Sequence, residues 1–156
     1  MLDVSPYVAI VAEPIDLDAL IARVRTDACG AVAAFLGVVR EQHEGRPVSG
    51  LSYEAYPSMA LQEMKEIAQE AISRFGPCEI AIVHRTGDLQ IGEASVAVAV
   101  GAPHRGEAFD ACEYAIDELK VRVEVWKKEH YVDGSASWVD NRTGIPRGGG
   151  AGAPLH

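Results

Sequence analysis

The sequence predicts a single domain of the α+β class, in which helices and hairpins are mixed with strands instead of alternating regularly with them. Segments with an apolar residue at every second position are interspersed with three segments of helical period. Asp133-Gly134 separates two period-two segments, which is typical of a β-hairpin turn. The chain's 156 residues are about the length of one domain. The mixture of strands, helices and hairpins fits an α+β sandwich better than a doubly wound parallel sheet.

The first quarter of the chain is predicted to form a strand, a helix and a second strand. Residues 7–12 are rich in strand formers and precede a proline. The Asp16 carboxylate can cap a helix that extends to about Arg25, because it can accept hydrogen bonds from free backbone amides at the helix start. Residues 31–40 form an apolar, β-branched run, which predicts a strand buried on both faces.

The middle of the chain is predicted to contain a mobile loop, a strand and a long helix. Glycine and proline interrupt the polar loop 41–47, and strand 48–56 follows it. Pro57 suits the first turn of a helix, and Gly76-Pro77 ends it. The residues Leu51, Tyr53 and Ala55 are expected on one face of strand 48–56. The apolar stripe of the helix comprises Met59, Met64, Ile67, Ala68, Ala71, Ile72 and Phe75.

Two further strands and a third helix are predicted next. Strands 79–85 and 94–100 are joined by the turn-rich segment 86–93. Valine alternates with alanine in the second of these strands, which indicates a central position in a sheet. A helix is expected over residues 106–120, with buried positions at Phe109, Cys112, Ile116 and Leu119.

The apolar period changes from 3.6 to 2 after Lys120. Valines 121, 123 and 125 alternate with polar residues, so we expect a closing hairpin whose second strand covers residues 135–139. The final segment, 143–156, is rich in glycine and has no apolar period. The sequence therefore predicts one folded domain, residues 1–142, and a flexible tail, residues 143–156.

Charge and hydropathy argue against two classes of protein. The formal net charge is −9, whereas a mainly electrostatic nucleic-acid binder needs an excess of lysine and arginine. The longest apolar stretch, residues 31–39, is about half a membrane span. The N-terminus lacks the basic start and apolar core of a secretory signal, so we expect a cytoplasmic protein.

Cysteine and histidine spacing gives no metal or disulfide pattern. The three cysteines are scattered and odd in number, so we expect buried, inert thiols. His43 and His130 have no partner at metal-ligand spacing, and His84 is expected to be structural. The chain also lacks a P-loop, a dinucleotide-binding glycine motif and a nucleophile elbow.

The basic residues stand out because they occur at the ends of predicted elements, where a rigid scaffold can present them to a cleft. They include Arg40, His104, Arg105, Lys120 and Lys127. The helix that follows His104 also offers free backbone amides and a positive dipole end. This grouping favours a small anionic ligand, while the alternative is a set of solvated surface charges.

Several segments, taken in order, resemble the large, catalytic subunit of molybdopterin synthase over roughly residues 7 to 142. They are Phe35-Leu36-Gly37-Val38-Val39-Arg40, Tyr53-Glu54-Ala55-Tyr56-Pro57-Ser58-Met59, Val83-His84-Arg85-Thr86-Gly87, Ala102-Pro103-His104-Arg105, Leu119-Lys120, Val125-Trp126-Lys127-Lys128-Glu129 and Trp138-Val139. The resemblance implies an α/β-hammerhead type of α+β fold with an additional antiparallel hairpin subdomain.

The same resemblance implies a cytoplasmic sulfurtransferase of molybdenum cofactor biosynthesis. Its substrate would be cyclic pyranopterin monophosphate, which receives two sulfurs and becomes the dithiolene molybdopterin. The sulfur would arrive as a thiocarboxylate on the C-terminal glycine of a small ubiquitin-like subunit. Two large subunits would form the central dimer of a heterotetramer. No resident cofactor or metal is expected, because molybdenum insertion would follow this step.

Site residues also follow from the resemblance. Lys120 and Lys127 match the two active-site lysines of the family, and both are expected to contact substrate. Arg40, His104 and Arg105 match its phosphate pocket, with the His–Arg pair contributed across the dimer interface. Arg142 lies at the position where the family brings a C-terminal basic side chain towards the pocket. Whether Lys120 acts as nucleophile, acid or electrostatic anchor is left open.

Two other functions are compatible with parts of the sequence. A non-catalytic dimeric scaffold could dock the tail of a ubiquitin-like partner without transferring sulfur. An unrelated hydrolase of small phosphate esters would need a general base or a metal beside the anion pocket, and the sequence offers no clear candidate.

Overall fold

The computed structural model describes residues 6–140, so the predicted tail 143–156 and Arg142 lie outside the described residues. The helices are α1 (Leu17–Val24), α2 (Pro57–Phe75) and α3 (Arg105–Arg122). The strands are β1 (Tyr7–Val11), β2 (Ala31–Val38), β3 (Gln42–His43), β4 (Arg46–Ala55), β5 (Glu79–Arg85), β6 (Gly87–Gln90), β7 (Ala94–Ala102), β8 (Val125–Tyr131) and β9 (Ala136–Asp140). No described helix is long and apolar enough to cross a membrane.

The first sheet has the strand order β1-β5-β7-β2, with β1 and β5 parallel and the other pairs antiparallel. The predicted central strand is confirmed, because β7 lies between β5 and β2. Its valines, such as Val98, face the main core under α2 and α3, while Ala97 and Ala99 face α1. Asp16 caps α1 as predicted, accepting a 3.1 Å hydrogen bond from the backbone amide of Ala19.

The second sheet joins β3, β4, β8 and β9 in that order, and β6 also pairs with β4. The predicted closing hairpin is confirmed, with Gly134 at a φ of 90° in the turn between β8 and β9. The predicted loop 41–47 is wrong in part. It forms the tight β3–β4 hairpin instead, because Glu44 and Gly45 both adopt the positive φ angles that such a turn requires.

Strand β2 is not buried on both faces as predicted. It is one of the two edge strands of the first sheet, and α1 lies mainly over β5 and β7, so part of the outer face of β2 remains uncovered. The exposed fractions are 38% for Val32, 39% for Leu36 and 49% for Val38. These three residues form an apolar strip, which we call the β2 strip.

Three apolar side chains are exposed, contrary to the predictions for them. Met59 and Phe109 were expected on the buried faces of helices, and Val121 in the closing hairpin. Met59 and Phe109 are exposed, whereas the small residues next to them, Ala60 and Ala108, are buried. Val121 lies in the last turn of α3, which ends two residues later than predicted. In the turn-rich segment 86–93, strand β6 was also missed.

Gly101 in β7 lets α1 approach the sheet, because a Cβ there would overlap the carbonyl oxygen of Val24. We therefore expect Gly101→Ala to lower the free energy of unfolding by about 2–3 kcal/mol, as overpacking does. Gly106→Ala is the matched control, since a Cβ there meets nothing within 4 Å and alanine favours a helix. Urea unfolding measures both, and equal stabilities for the two variants would contradict the expectation.

Candidate active site

A cavity of about 450 Å³ lies where the two sheets meet the C-terminal end of α3. Three of the basic residues predicted from the sequence line it together: Arg40, Lys120 and Lys127. We call them the cationic rim. The volume of the cavity lies within the range of about 300–1,000 Å³ that is typical of small-molecule sites.

Each member of the cationic rim is positioned by the end of a regular element. Arg40 follows the end of β2, and Lys120 lies in the last turn of α3. The chain leaves α3 at Val123 and begins β8 at Val125, which carries Lys127 onto the same cavity two residues later. Arg40 and Lys120 are exposed, whereas Lys127 is half-buried.

Burial and the neighbouring charges act in opposite directions on Lys127. Desolvation lowers its pKa most, Glu129 opposes that shift, and the positive charges of Arg40 and Lys120 lower the pKa further. Glu129 is only 2% exposed and accepts a 3.0 Å hydrogen bond from the Tyr131 hydroxyl. The buried Glu129 carboxylate therefore partly offsets the positive charge of the cationic rim.

The lowered pKa of Lys127 gives a pH prediction. Its ammonium is expected to lose its proton below lysine's ordinary value of 10.5, so activity that needs this charge falls as pH rises through that lower pKa. Arg40→Gln removes a like charge and should raise the Lys127 pKa. Carbon NMR of methylated lysines measures both titrations. A Lys127 pKa at or above 10.5 in the unmutated protein would contradict the expectation.

The other two predicted basic residues do not line this cavity. Arg105 begins α3 and Lys120 lies near its end, which separates them by roughly 22 Å of helix rise. The His104 side chain is 82% exposed, and its Nδ1 lies 3.9 Å from Glu107. The adjoining corner is tightly packed, since a Cβ on Gly30 would overlap the Pro103 carbonyl oxygen. Within one chain, this pair and the cationic rim are therefore separate.

The inner part of the cavity is lined by neutral polar side chains that the sequence did not single out for binding. They are Tyr53, His84 and Ser95, and each is 7% exposed. They come from β4, β5 and β7, so only the tertiary structure brings them together. We call these residues the neutral floor.

Two of the three cysteines are buried, and the third is partly exposed. Cys78 and Cys112 are buried, and burial raises the pKa of each thiol to about 11. Cys29 is only half-buried, and its thiol lies 3.2 Å from the Val24 carbonyl oxygen. Within residues 6–140, no three histidine, cysteine or acidic side chains are grouped as metal ligands.

Comparison with known proteins adds independent information. Residues 10–122 match the family model described as MoaE protein. Molybdopterin synthase catalytic subunits from Nostoc and Pyrococcus abyssi are 47% and 42% identical to this chain. The Nostoc match covers 84% of this chain and 80% of that protein, and the Pyrococcus match covers 89% and 95%. A relative from Emericella nidulans is 46% identical over 76% of this chain, which spans only 61% of that protein.

Solved structures agree with these relatives. Molybdopterin synthase from Staphylococcus aureus is 40% identical, with a TM-score of 0.79 over 83% of this chain and 93% of that chain. The MoaE protein from Burkholderia ambifaria is 39% identical, with a TM-score of 0.76 over 88% and 90% of the two chains. The α+β fold of the hammerhead type is thereby confirmed. The chain belongs to the MoaE protein family.

Proposed function

We propose that this chain is the catalytic subunit of a molybdopterin synthase, a sulfurtransferase acting in the cytoplasm. The observation that carries the proposal is the convergence of Arg40, Lys120 and Lys127 on one partly buried cavity in a protein of net charge −9. Such a concentration of positive charge suits a substrate with a phosphate and a donor with a thiocarboxylate. The relatives named above support the same reaction.

The proposed reaction transfers sulfur from the thiocarboxylated C-terminal glycine of a small ubiquitin-like subunit to cyclic pyranopterin monophosphate. The thiocarboxylate sulfur forms a C–S bond to an oxygen-bearing carbon of the pterin side chain, and the C–O bond at that carbon breaks. The oxygen leaves as water or, at the phosphate-bearing carbon, stays on the phosphate, so that substrate and carrier are linked through a thioester. Water then hydrolyses that thioester, leaving the sulfur on the substrate and a carboxylate on the carrier. A second loaded carrier repeats the step to complete the dithiolene.

Lys120 and Lys127 have different surroundings, which supports different contributions to this reaction. Lys120 is exposed at a helix end, where the incoming tail of the carrier can reach it. Lys127 is held within a strand that pairs on both sides, opposite Tyr53 and Val139. We assign Lys120 to the reacting thiocarboxylate and Lys127 mainly to the substrate.

Lys127→Ala is accordingly expected to raise the KM for the pterin substrate about tenfold and to lower kcat less than Lys120→Ala does. Lys128→Ala is the matched control, since the neighbouring strand residue points to the other face and its Nζ lies 5.7 Å from the Trp138 ring centroid. Steady-state kinetics of the two variants measure the difference. Equal effects of the two substitutions would contradict the assignment.

A second copy of the chain is proposed to contribute His104 and Arg105 to each site. Ala31 pairs with Ala102, so these residues lie beside the start of β2, whereas Arg40 follows its end. A two-fold axis near the middle of β2 would bring the partner's β2 start to this chain's β2 end. The exposed β2 strip runs between those ends and supplies an apolar surface for such a contact.

The test of the proposed function uses the purified protein, cyclic pyranopterin monophosphate and a thiocarboxylated small subunit. Product is detected after oxidation to a fluorescent pterin, with a small subunit bearing an ordinary C-terminal carboxylate as the control. Product formation only with the thiocarboxylate is expected. A tight complex without product would favour the scaffold function, and release of phosphate without sulfur transfer would favour a phosphate ester hydrolase.

A further inference from the structure

His84 occupies a position where the fold otherwise places an apolar side chain. It follows Ile80 and Ile82 on the same face of β5, and both isoleucines belong to the main core. The His84 ring lies edge-on to Tyr53, with 5.3 Å between the ring centroids. Burial removes water from this polar ring, which costs free energy. An apolar side chain could fill the same space without that cost.

The hydrogen bonding of His84 fixes which ring nitrogen is the acceptor. Nδ1 lies 2.9 Å from the backbone carbonyl oxygen of Arg85, and a carbonyl oxygen can only accept, so Nδ1 carries the hydrogen. Burial lowers the pKa of His84 to about 4, which keeps the ring neutral near pH 7. Nε2 is then an unprotonated acceptor.

Nε2 is available to a ligand in the cavity. Within residues 6–140 the Nε2 atom has no hydrogen-bond partner, and it is not one of the unpartnered polar atoms that are completely buried. It is therefore accessible from the cavity. The His84 side chain lines the same cavity as the cationic rim. The cavity thus has two chemically different regions, a rim of positive charge and a floor of neutral polar groups.

We propose that the neutral floor binds the uncharged ring system of the substrate, and that His84 Nε2 accepts a hydrogen bond from one of its N–H groups. The inference rests on the proposed function and adds a specificity-determining residue to it. The rim attracts anions of many kinds, because charge alone does not distinguish one phosphate from another. A buried acceptor selects strongly, since a ligand without a matching donor leaves it unpaired.

Two variants separate the acceptor from the bulk of the ring. His84→Phe keeps an aromatic ring against Tyr53 and removes the acceptor, whereas His84→Gln retains a side-chain acceptor. We expect His84→Phe to weaken binding of cyclic pyranopterin monophosphate about 10- to 100-fold, and His84→Gln to restore most of that loss. Affinity for inorganic phosphate, which probes the rim alone, should change by less than about twofold in both variants.

Isothermal titration calorimetry with the two probes measures these affinities. Wild-type affinity of a folded His84→Phe variant for the pterin substrate would overturn the inference while leaving the proposed function intact. An equal loss of phosphate and substrate binding would also overturn it, because the effect would then be structural. If the wild-type protein binds phosphate but neither binds nor converts the pterin, both the proposed function and this inference are overturned.

Nitrogen NMR of the wild-type protein decides the matter even if His84→Phe fails to fold. Addition of the pterin substrate should move the His84 Nε2 resonance towards that of a hydrogen-bonded acceptor, and inorganic phosphate should not. An Nε2 resonance that does not respond to saturating substrate would overturn the inference.

Discussion

Replacement of Lys120 by alanine is expected to lower the single-turnover rate of sulfur transfer by about 10²- to 10⁴-fold, as removal of a charge that stabilises a transition state does. Lys120 lines the cavity, and its charge contributes to the positive environment of Lys127. Its side chain is exposed, so the fold should be retained. Rapid-quench measurement of product with a preloaded carrier gives the rate.

The control for this prediction is Lys65→Ala, which removes an exposed lysine from α2 outside the cavity. Its rate should equal that of the unmutated protein. A Lys120→Ala variant that kept more than about a tenth of the rate would contradict a central role for this ammonium. Circular dichroism and carrier binding establish that any loss is not a folding defect.

Activity is expected to return when two separately inactive variants are mixed. If His104 and Arg105 act across the dimer, a mixed dimer of Lys120→Ala and Arg105→Ala subunits contains one intact site and one doubly altered site. Random exchange of equal amounts should therefore restore about a quarter of the wild-type activity, because half of the dimers are mixed. Refolding from urea allows the subunits to exchange before the assay.

The homodimers of each variant provide the baseline for that experiment. A mixture that stayed at the baseline, with exchange verified by native mass spectrometry, would contradict a contribution from the second copy. Arg105 and Lys120 are separated by roughly 22 Å along α3, so one small site within a single chain cannot contain both residues. Recovered activity would therefore show that the site is shared by two chains.

Most elements of the fold could be predicted from the sequence because their local signals agree with their tertiary environment. The Asp16 cap, the Gly76 helix end and the Asp133-Gly134 turn are examples. The edge position of β2 could not be predicted, because an apolar, β-branched composition does not distinguish an edge strand from a central one. Phe109 is 64% exposed and its small neighbour Ala108 is buried, and the helical period alone did not distinguish these two adjacent positions.

The site was predictable only in its charged part. Basic residues at element ends are visible in a sequence, and three of them meet in the cavity. The neutral floor is invisible there, because Tyr53, His84 and Ser95 lie on three strands whose pairing is long-range. Glu129 was likewise missed, since alternation alone did not indicate that a carboxylate following two lysines would be buried.

The most direct test of sulfur transfer at the cationic rim is a single-turnover reaction with a heavy-sulfur label in the carrier's thiocarboxylate. Mass spectrometry then follows the label in the pterin and the C-terminal glycine of the carrier in the same sample. We expect labelled molybdopterin and a carrier converted to its carboxylate, and Lys120→Ala should form both about 10²- to 10⁴-fold more slowly. Unlabelled product, or a carrier that binds and keeps its sulfur, would contradict this expectation.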